Sequence, residues 1–531
     1  GKPLPSLALP CPAPLRPESI LAACEPLRRY VEICEPFWGM PPRPLPRTVV
    51  LLAVVLAPVH GLAPSSAWRT SLARRRARSQ YYKQRLENHQ DLQYMANITI
   101  GNQVMSGVPD TGSFELMVIS QRCSTCGKSS AYYDYASSQT YRAGELFTAH
   151  AFGSGTTHSQ EAFDSVRLGP FSVKEQYFWE VIWADMPILE DGIIQAVIGL
   201  GPPGQAYTFA QAAANMFNKK MYQFETKGLP VPTELQDKAN QTTELADEMA
   251  KQESLLESLM VDLFSVCLQK EVGSDGFIVW NDEHPGQQLD TFIRVPIVGR
   301  FTWAMQLESA AFRGSEQPQV DIGCSEGCGA IADTGTSLLS VPVDVADRAL
   351  QALNALGSTS CERLEELPNL EFSLGGTRHS LPPEAYVGYV YGIAPNTQKF
   401  FPWLDLAKPF KEVKICSLLL MTIDVETQYG PLWILGMPFM REYYTTFELG
   451  THGSDSRYRS IWTAPQDGHC GAKKRAEVAE APDVEEHREP IGLQGQLLAG
   501  KQKHRIRSID LSKIRVSRWA REAAIAGRVS L

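Results

Sequence analysis

Tyr94 to Ile100 alternates apolar and polar residues as a half-buried strand should, and Gly101-Asn turns it. A strand–turn–strand pattern then recurs at two distant places. Asp110-Thr-Gly-Ser sits between the apolar runs Asn97-Ile-Thr-Ile and Leu116-Met-Val-Ile, and Ala330-Ile-Ala-Asp333-Thr-Gly-Thr-Ser-Leu-Leu repeats the arrangement. Each copy is followed, after a similar interval, by two aliphatic residues and a glycine: Val197-Ile198-Gly199, then Ile434-Leu435-Gly436. This long-period repeat predicts two related lobes, each offering one carboxylate from a tight loop. Asp275-Gly-Phe-Ile-Val-Trp280 and Phe301-Thr-Trp-Ala-Met-Gln-Leu307 read as further strands around turns, so the fold is predicted to be mainly β. Leu245, Met249, Leu256 and Leu259 recur instead at helical spacing. Trp433-Ile-Leu-Gly-Met-Pro-Phe-Met-Arg-Glu-Tyr-Tyr ends a strand and opens a short helix.

The two ends have a different composition. Residues 1–40 are rich in proline, hold Cys11, Cys24 and Cys34, and show no clear periodicity. The apolar run 49–59 follows Arg43 and Arg47 and precedes small residues at 63–67. That order predicts a signal peptide, or a signal anchor, within a leader spanning 1–67; the run is too short to cross a bilayer comfortably. Residues 68–92 carry Arg69, Arg74, Arg75, Arg76, Arg78, Lys83 and Arg85, with no acid between Trp68 and Leu86. Such a stretch suits a solvated linker, or a segment that lies across an acidic cleft and lets go when the carboxylates protonate. Residues 467–531 are charged and poor in aromatics, which predicts a flexible or partly helical extension. Within its basic part, Lys501 to Arg528, the interleaved Ile506, Ile509, Leu511, Ile514 and Val516 suit an anionic membrane surface as well as solvent. The net charge of −9 argues against nucleic acid as the main partner.

Two carboxyl groups about 3 Å apart cannot both ionise, so they share a proton. One can then act as general base on a water while the other polarises a carbonyl. This chemistry accounts for a D-T-G in each lobe, with Asp110 and Asp333 as the catalytic pair, and it asks for no metal and no cofactor. Gly112 and Gly335 let the loops approach back to back. The hydroxyls of Thr111 and Thr334 are placed to cross-link the loops, and those of Ser113 and Thr336 to hold the carboxylates in plane. Cys123-Ser-Thr-Cys126 has the spacing of a zinc half-site, a redox pair or a structural disulfide; no second C-x-x-C or His pair completes a zinc set, which favours the disulfide. Cys267 lies in an apolar run and is expected as a buried free thiol. Eleven cysteines leave at least one unpaired. Asn97-Ile-Thr and Asn240-Gln-Thr are glycosylation sequons.

The chain resembles the pepsin-like aspartic proteases from about Tyr94 to Pro465. Its most specific matches are Ala332-Asp-Thr-Gly-Thr-Ser, Asp262-Leu-Phe-Ser-Val and the run from Leu432 through the Phe-Met-Arg-Glu-Tyr-Tyr segment to Phe447. The resemblance implies a bilobal fold with pseudo-two-fold symmetry and a central cleft. The N-terminal lobe would span 93–283, interrupted by an insertion at about 205–255, and the C-terminal lobe 284–466. It implies disulfides Cys324–Cys328 and Cys361–Cys416, and, at Cys123–Cys126, a narrower loop than the family's usual one. His150-Ala-Phe152-Gly153-Ser154-Gly155-Thr resembles the flap that closes over substrate. The family usually has Tyr where this chain has Phe152 and Trp where it has Met117, and those two normally hydrogen-bond. Their joint replacement leaves neither unsatisfied and implies an apolar, looser flap contact. Trp303 would line the cleft or serve as a core aromatic. The activity implied is aspartic-type endopeptidase hydrolysis of extended polypeptides, by a monomer made as a zymogen in the secretory pathway (secreted, vacuolar or another endomembrane organelle). The basic segment 68–92 would be its inhibitory prosegment. Membrane association through 49–59 or the basic tail, a catalytically silent binding module and a two-carboxylate glycoside hydrolase are the competing readings; the last does not need paired D-T-G loops. The departures at Met117, Phe152 and Cys123–Cys126 resemble the divergent pepsin-like proteases of apicomplexan parasites.

Overall fold

The computed structural model describes residues 80–474, except 128, 130, 153, 301, 315–318, 356–360, 393–400, 403–413 and 451–458, together with 506–515 and 528–529. The leader and the basic stretch up to residue 79 lie outside the described residues. The described chain falls within one compact unit.

The first lobe contains β1 (Tyr82–His89), β2 (Gln93–Ile100), β3 (Gln103–Asp110), β4 (Leu116–Ile119), β5 (Arg142–Phe152), β6 (Gly155–Leu168), β7 (Phe171–Asp185) and β8 (Ala196–Gly199). Three helices follow, α1 (Gln205–Thr226), α2 (Thr233–Met249) and α3 (Leu255–Ser258), then β9 (Leu263–Leu268) and β10 (Gly276–Trp280). The second lobe contains β11 (Ile293–Pro296), β12 (Ala304–Arg313), β13 (Val320–Gly323), β14 (Cys328–Ala332), β15 (Leu339–Val341), helix α4 (Val343–Ala355), β16 (Asn369–Leu374), β17 (Thr377–Leu381) and β18 (Val387–Tyr391). It continues with β19 (Ile415–Leu418), β20 (Leu420–Thr422), β21 (Glu426–Thr427), β22 (Gly430–Leu435), helix α5 (Met437–Glu442), β23 (Tyr443–Glu448) and β24 (Ser460–Pro465). Two strands, β25 (Ser508–Asp510) and β26 (Arg528–Val529), come from the C-terminal extension.

The expected repeat is visible in the pairing. In the first lobe β3 runs parallel to β8, which pairs Asp110 with Gly199, and β8 pairs antiparallel with β4. In the second lobe β14 runs parallel to β22, and β15 pairs antiparallel with β22. Each Asp thus leaves the end of a central strand whose parallel neighbour carries the aliphatic pair of the motif. Strands β11, β24, β23 and β9 join β10, β1 and β2 in one continuous sheet, so both lobes share a backbone ladder. Strand β1 belongs to this ladder: Lys83 lies over the Phe277 ring and Arg85 bonds Asp275. The last two basic residues of the 68–92 stretch are therefore built into the sheet.

The core follows the alternation. Ile98, Val118, Ile198 and Phe178 are buried in the first lobe, and Ile331, Leu339, Ile434 and Phe372 in the second. Where the lobes meet, Phe264 stacks on Phe447 at 4.9 Å and Trp303 packs edge-on against Phe447. Trp303 is fully buried and its indole N–H donates to the Leu200 carbonyl at 2.8 Å. Of its two expected places, cleft wall or core, it takes the core, as an aromatic tying the lobes together.

The insertion is an antiparallel helical hairpin of α1 and α2. Leu245 and Met249 lie on α2, but Leu256 and Leu259 belong to α3 and its end. The capping box of Ser254 and Glu257 starts α3 as a separate helix. Disulfides Cys123–Cys126, Cys324–Cys328 and Cys361–Cys416 are formed. Cys267 is not a free thiol: it bonds Cys470, which lies just past β24. No described helix is long and apolar enough to cross a membrane.

His379 is buried between Phe372, Phe439 and Tyr443, with its ring nitrogens on the Thr377 carbonyl and the Thr463 hydroxyl. Burial pushes it down to about 4. The folded state thus binds this proton less readily than the unfolded chain, whose imidazole titrates near 6.5. Its contribution to stability is present above pH 6.5 and is lost as pH falls towards 4, by roughly 3 kcal/mol. Thermal melts across that window should show a shallower acid-side loss for His379→Gln than for the wild type; identical slopes would contradict this assignment.

Candidate active site

Asp110 ends β3 and Asp333 follows β14, and both side chains are fully buried. Four hydrogen bonds lock the two loops together. The Thr111 amide donates to Thr334 Oγ1 at 3.0 Å, and the Thr334 amide to Thr111 Oγ1 at 2.9 Å. The Thr111 hydroxyl donates onward to the Ala332 carbonyl, and the Thr334 hydroxyl to that of Pro109, at 2.9 and 2.8 Å. The set is two-fold symmetric and joins residues more than two hundred positions apart. In this buried setting each hydroxyl is satisfied as donor and acceptor, which makes the frame rigid.

The glycines of the motif make the approach feasible. A β-carbon on Gly112 would lie 2.7 Å from the Asp333 carboxyl, and one on Gly335 would lie 2.5 Å from Asp110 Cγ. Each carboxylate takes one oxygen inward to its own loop: Asp110 Oδ1 accepts from the Gly112 amide at 2.9 Å, and Asp333 Oδ1 from the Gly335 amide at 2.7 Å. Burial, then the Asp110 charge, pushes the Asp333 carboxyl up to about 7, against the opposing pull of Thr336, Gly335 and Arg515.

The outer oxygens break the symmetry. Thr336 Oγ1 donates to Asp333 Oδ2 at 2.6 Å, as expected. Ser113, its counterpart, has a buried hydroxyl with no hydrogen-bond partner among the described residues. Asp110 Oδ2 is taken instead by the Arg515 guanidinium at 2.6 Å. Sequence reasoning missed Arg515 because it lies in a segment whose charge reads as solvated tail.

The stretch expected to be the flap lies in the hairpin of β5 and β6, with Phe152 paired to Gly155 across its end. Gly153 lies outside the described residues; Ser154 stands between it and Gly155 at the tip. Phe152 and Met117 are both about 2% exposed and belong to one apolar cluster with Trp179. A second pair went unread: buried His150, on β5, stands 3.6 Å from Glu115 and packs its ring against Trp179 at 5.5 Å. Phe114, with Tyr177, Tyr207, Met249 and Glu257, lines a pocket of about 580 Å³ that reaches the helical stretch after β8.

Two carboxylates, buried on paired loops that hydroxyls cross-link between two β lobes, define an aspartic-type hydrolase. The chain belongs to the eukaryotic aspartyl protease family, whose profile matches residues 93–454. It is 27% identical over 378 residues to renin-2 of Mus musculus, covering 68% of this chain and 79% of that protein. It is 26% identical over 380 residues to pepsin A of Bos taurus, covering 70% and 85%. Over 404 residues it is 26% identical to pepsin A of Rhinolophus ferrumequinum, covering 74% and 86%. The protein is thus an aspartic endopeptidase of the pepsin-like type, acting on polypeptides. A silent binding module is not favoured.

Proposed function

We propose that Asp110 and Asp333 are the catalytic pair and that they hold and activate the attacking water. The observation that carries this reading is the threonine-linked frame, which seats two buried carboxyl groups back to back. With one proton between them, the ionised member takes a proton from the water as it attacks the scissile carbonyl. The protonated member donates to the carbonyl oxygen. No covalent intermediate forms. The substrate is an extended peptide of several residues, held under the Phe152 flap with apolar side chains beside the scissile bond.

The pair works only while it retains one proton. With the Asp333 carboxyl raised to about 7, that proton is held at acid and mildly acid pH and leaves as pH rises through the neutral range. Cleavage of a peptide substrate should therefore be acid-favoured, sensitive to pepstatin, and should fall about tenfold for each pH unit above the upper limb. A kcat/KM profile flat to pH 8 would sink the shared-proton reading.

The other parts of this reading concern the making of the enzyme. The protein is produced as a zymogen in the secretory pathway and acts as a monomer. Four disulfides among the described residues suit an oxidising compartment. Asn240 is exposed on α2 and open to glycosylation. The inhibitory role of the upstream basic segment then rests on Arg69 to Arg78, since Lys83 and Arg85 are engaged with β10.

A further inference from the structure

Residues 506–515 are anchored along the second lobe and end at the carboxyl pair. Strand β25 runs parallel to β18, pairing Tyr389 with Ser508 and Tyr391 with Asp510. Ile509 and Leu511 are 1% and 2% exposed and sink into the cluster of Phe401, Leu419 and Met421, with Ile514 packed against it. Of the apolar residues interleaved in this tail, Ile506, Ile509, Leu511 and Ile514 are thus used inside the protein, and Val516 lies outside the described residues. Arg507, almost fully buried, lies 4.0 Å from Asp91 and donates to the Lys270 carbonyl. Lys513 pairs with Asp191, and its carbonyl accepts from the Gln93 side chain.

The last described residue of this segment is held by a reciprocal pair of hydrogen bonds. The Arg515 amide donates to Ser337 Oγ at 2.9 Å, and the Ser337 amide donates back to the Arg515 carbonyl at 3.1 Å. Ser337 follows directly on the second Asp-Thr-Gly-Thr. From that seat the guanidinium reaches Asp110 Oδ2, with 3% and 0% of the two side chains exposed. A buried ion pair is poor value as a source of stability, because both ions lose their water. Its position gives it another meaning. It takes the one oxygen of Asp110 that the loop amides leave open.

Resting on the assignment of Asp110 and Asp333 as the catalytic pair, we propose that residues 506–515 are a built-in ligand of the active site. In this arrangement Arg515 keeps the enzyme silent until the segment leaves. The site's first ligand is thus an extended cationic peptide from the enzyme's own C-terminal extension. A water cannot be activated at Asp110 Oδ2 while a guanidinium occupies it, and a substrate strand cannot take the two Ser337 hydrogen bonds while Arg515 holds them. The apolar plug of Ile509 and Leu511 supplies the grip, and Arg515 supplies the block.

The test compares full-length wild type, Arg515→Ala and Leu511→Asp in peptide cleavage and in pepstatin binding. Arg515→Ala removes the block, and Leu511→Asp loosens the grip without touching the pair. Each should raise kcat/KM and pepstatin affinity by about tenfold to a hundredfold, the weight of a charge-assisted hydrogen bond. Arg515→Lys should fall between wild type and Arg515→Ala. If neither Arg515→Ala nor Leu511→Asp changes cleavage or pepstatin affinity, the segment is only a structural strap and the proposal fails. An Asp110→Asn control separates the two levels. Cleavage that survives in Asp110→Asn overturns the catalytic assignment itself. Cleavage lost there but unmoved in both strap variants overturns only the inhibitor.

Discussion

Asp333→Asn should lower kcat on peptides by about a thousandfold to ten-thousandfold while leaving the fold in place, and Asp110→Asn should do at least as much. Asn keeps the shape of the carboxyl group but cannot share or release the proton. At position 333 the neighbours tolerate the change. The amide oxygen can take the place of Oδ1 and still accept from the Gly335 amide, while the NH2 group in the place of Oδ2 donates to the Thr336 hydroxyl, which turns from donor to acceptor. Position 110 differs, because Arg515 is buried against it. Neutralising Asp110 strands a buried guanidinium, a loss of about 3–5 kcal/mol when one partner of such a pair is removed. A melting curve should therefore separate the two variants: Asp333→Asn near wild type, Asp110→Asn well below it. The double variant Asp110→Asn with Arg515→Ala should recover much of the difference. Equal melting temperatures for the two single variants would deny the Arg515 contact. Wild-type turnover in either would deny the pair.

Gly335→Ala should cost the enzyme about a hundredfold or more in kcat although it adds a single methyl group. That methyl has no space, since its carbon would sit 2.5 Å from Asp110 Cγ. Either the Asp110 carboxylate moves or the second loop backs away, and both displace groups that must be aligned to within a fraction of an ångström. Overpacking of this kind also destabilises by about 1–3 kcal/mol, so the diagnostic is the ratio of effects. kcat should fall far more than the stability loss explains, with Gly112→Ala a milder copy on the Asp333 side, where the approach is 2.7 Å. Activity within twofold of wild type in Gly335→Ala would mean the loops do not approach as described.

The features legible in the chain were those that repeat or punctuate. The two Asp-Thr-Gly loops and the aliphatic-glycine pairs after them announced two lobes. Pairing of β3 with β8 and of β14 with β22 is the physical content of that repeat. The threonine cross-link was readable too, because two hydroxyls in back-to-back loops have few other partners. What escaped depends on long-range packing. Cys267 looked like a buried thiol since its partner, Cys470, is 203 residues away in a turn beyond the last strand of the second lobe. Trp303 carried no local sign that it would fill the seam between lobes instead of the cleft. The helical spacing of Leu245, Met249, Leu256 and Leu259 marked helix but not its break, where Ser254 and Glu257 cap a new helix between them. The tail was the largest miss. Charge and scarce aromatics describe a solvated segment, and only the buried Ile509 and Leu511 show that ten residues of it are docked.

The most direct test of direct water attack is a single turnover of a peptide in heavy-oxygen water, with the isotope content of the new carboxyl group read by mass spectrometry. Activation of a water by Asp110 and Asp333 predicts one heavy oxygen in every carboxyl formed in that first turnover, and none in Asp110→Asn or Asp333→Asn, where no product forms. An unlabelled first-turnover product would mean that a protein oxygen attacked the carbonyl, and would contradict the water mechanism.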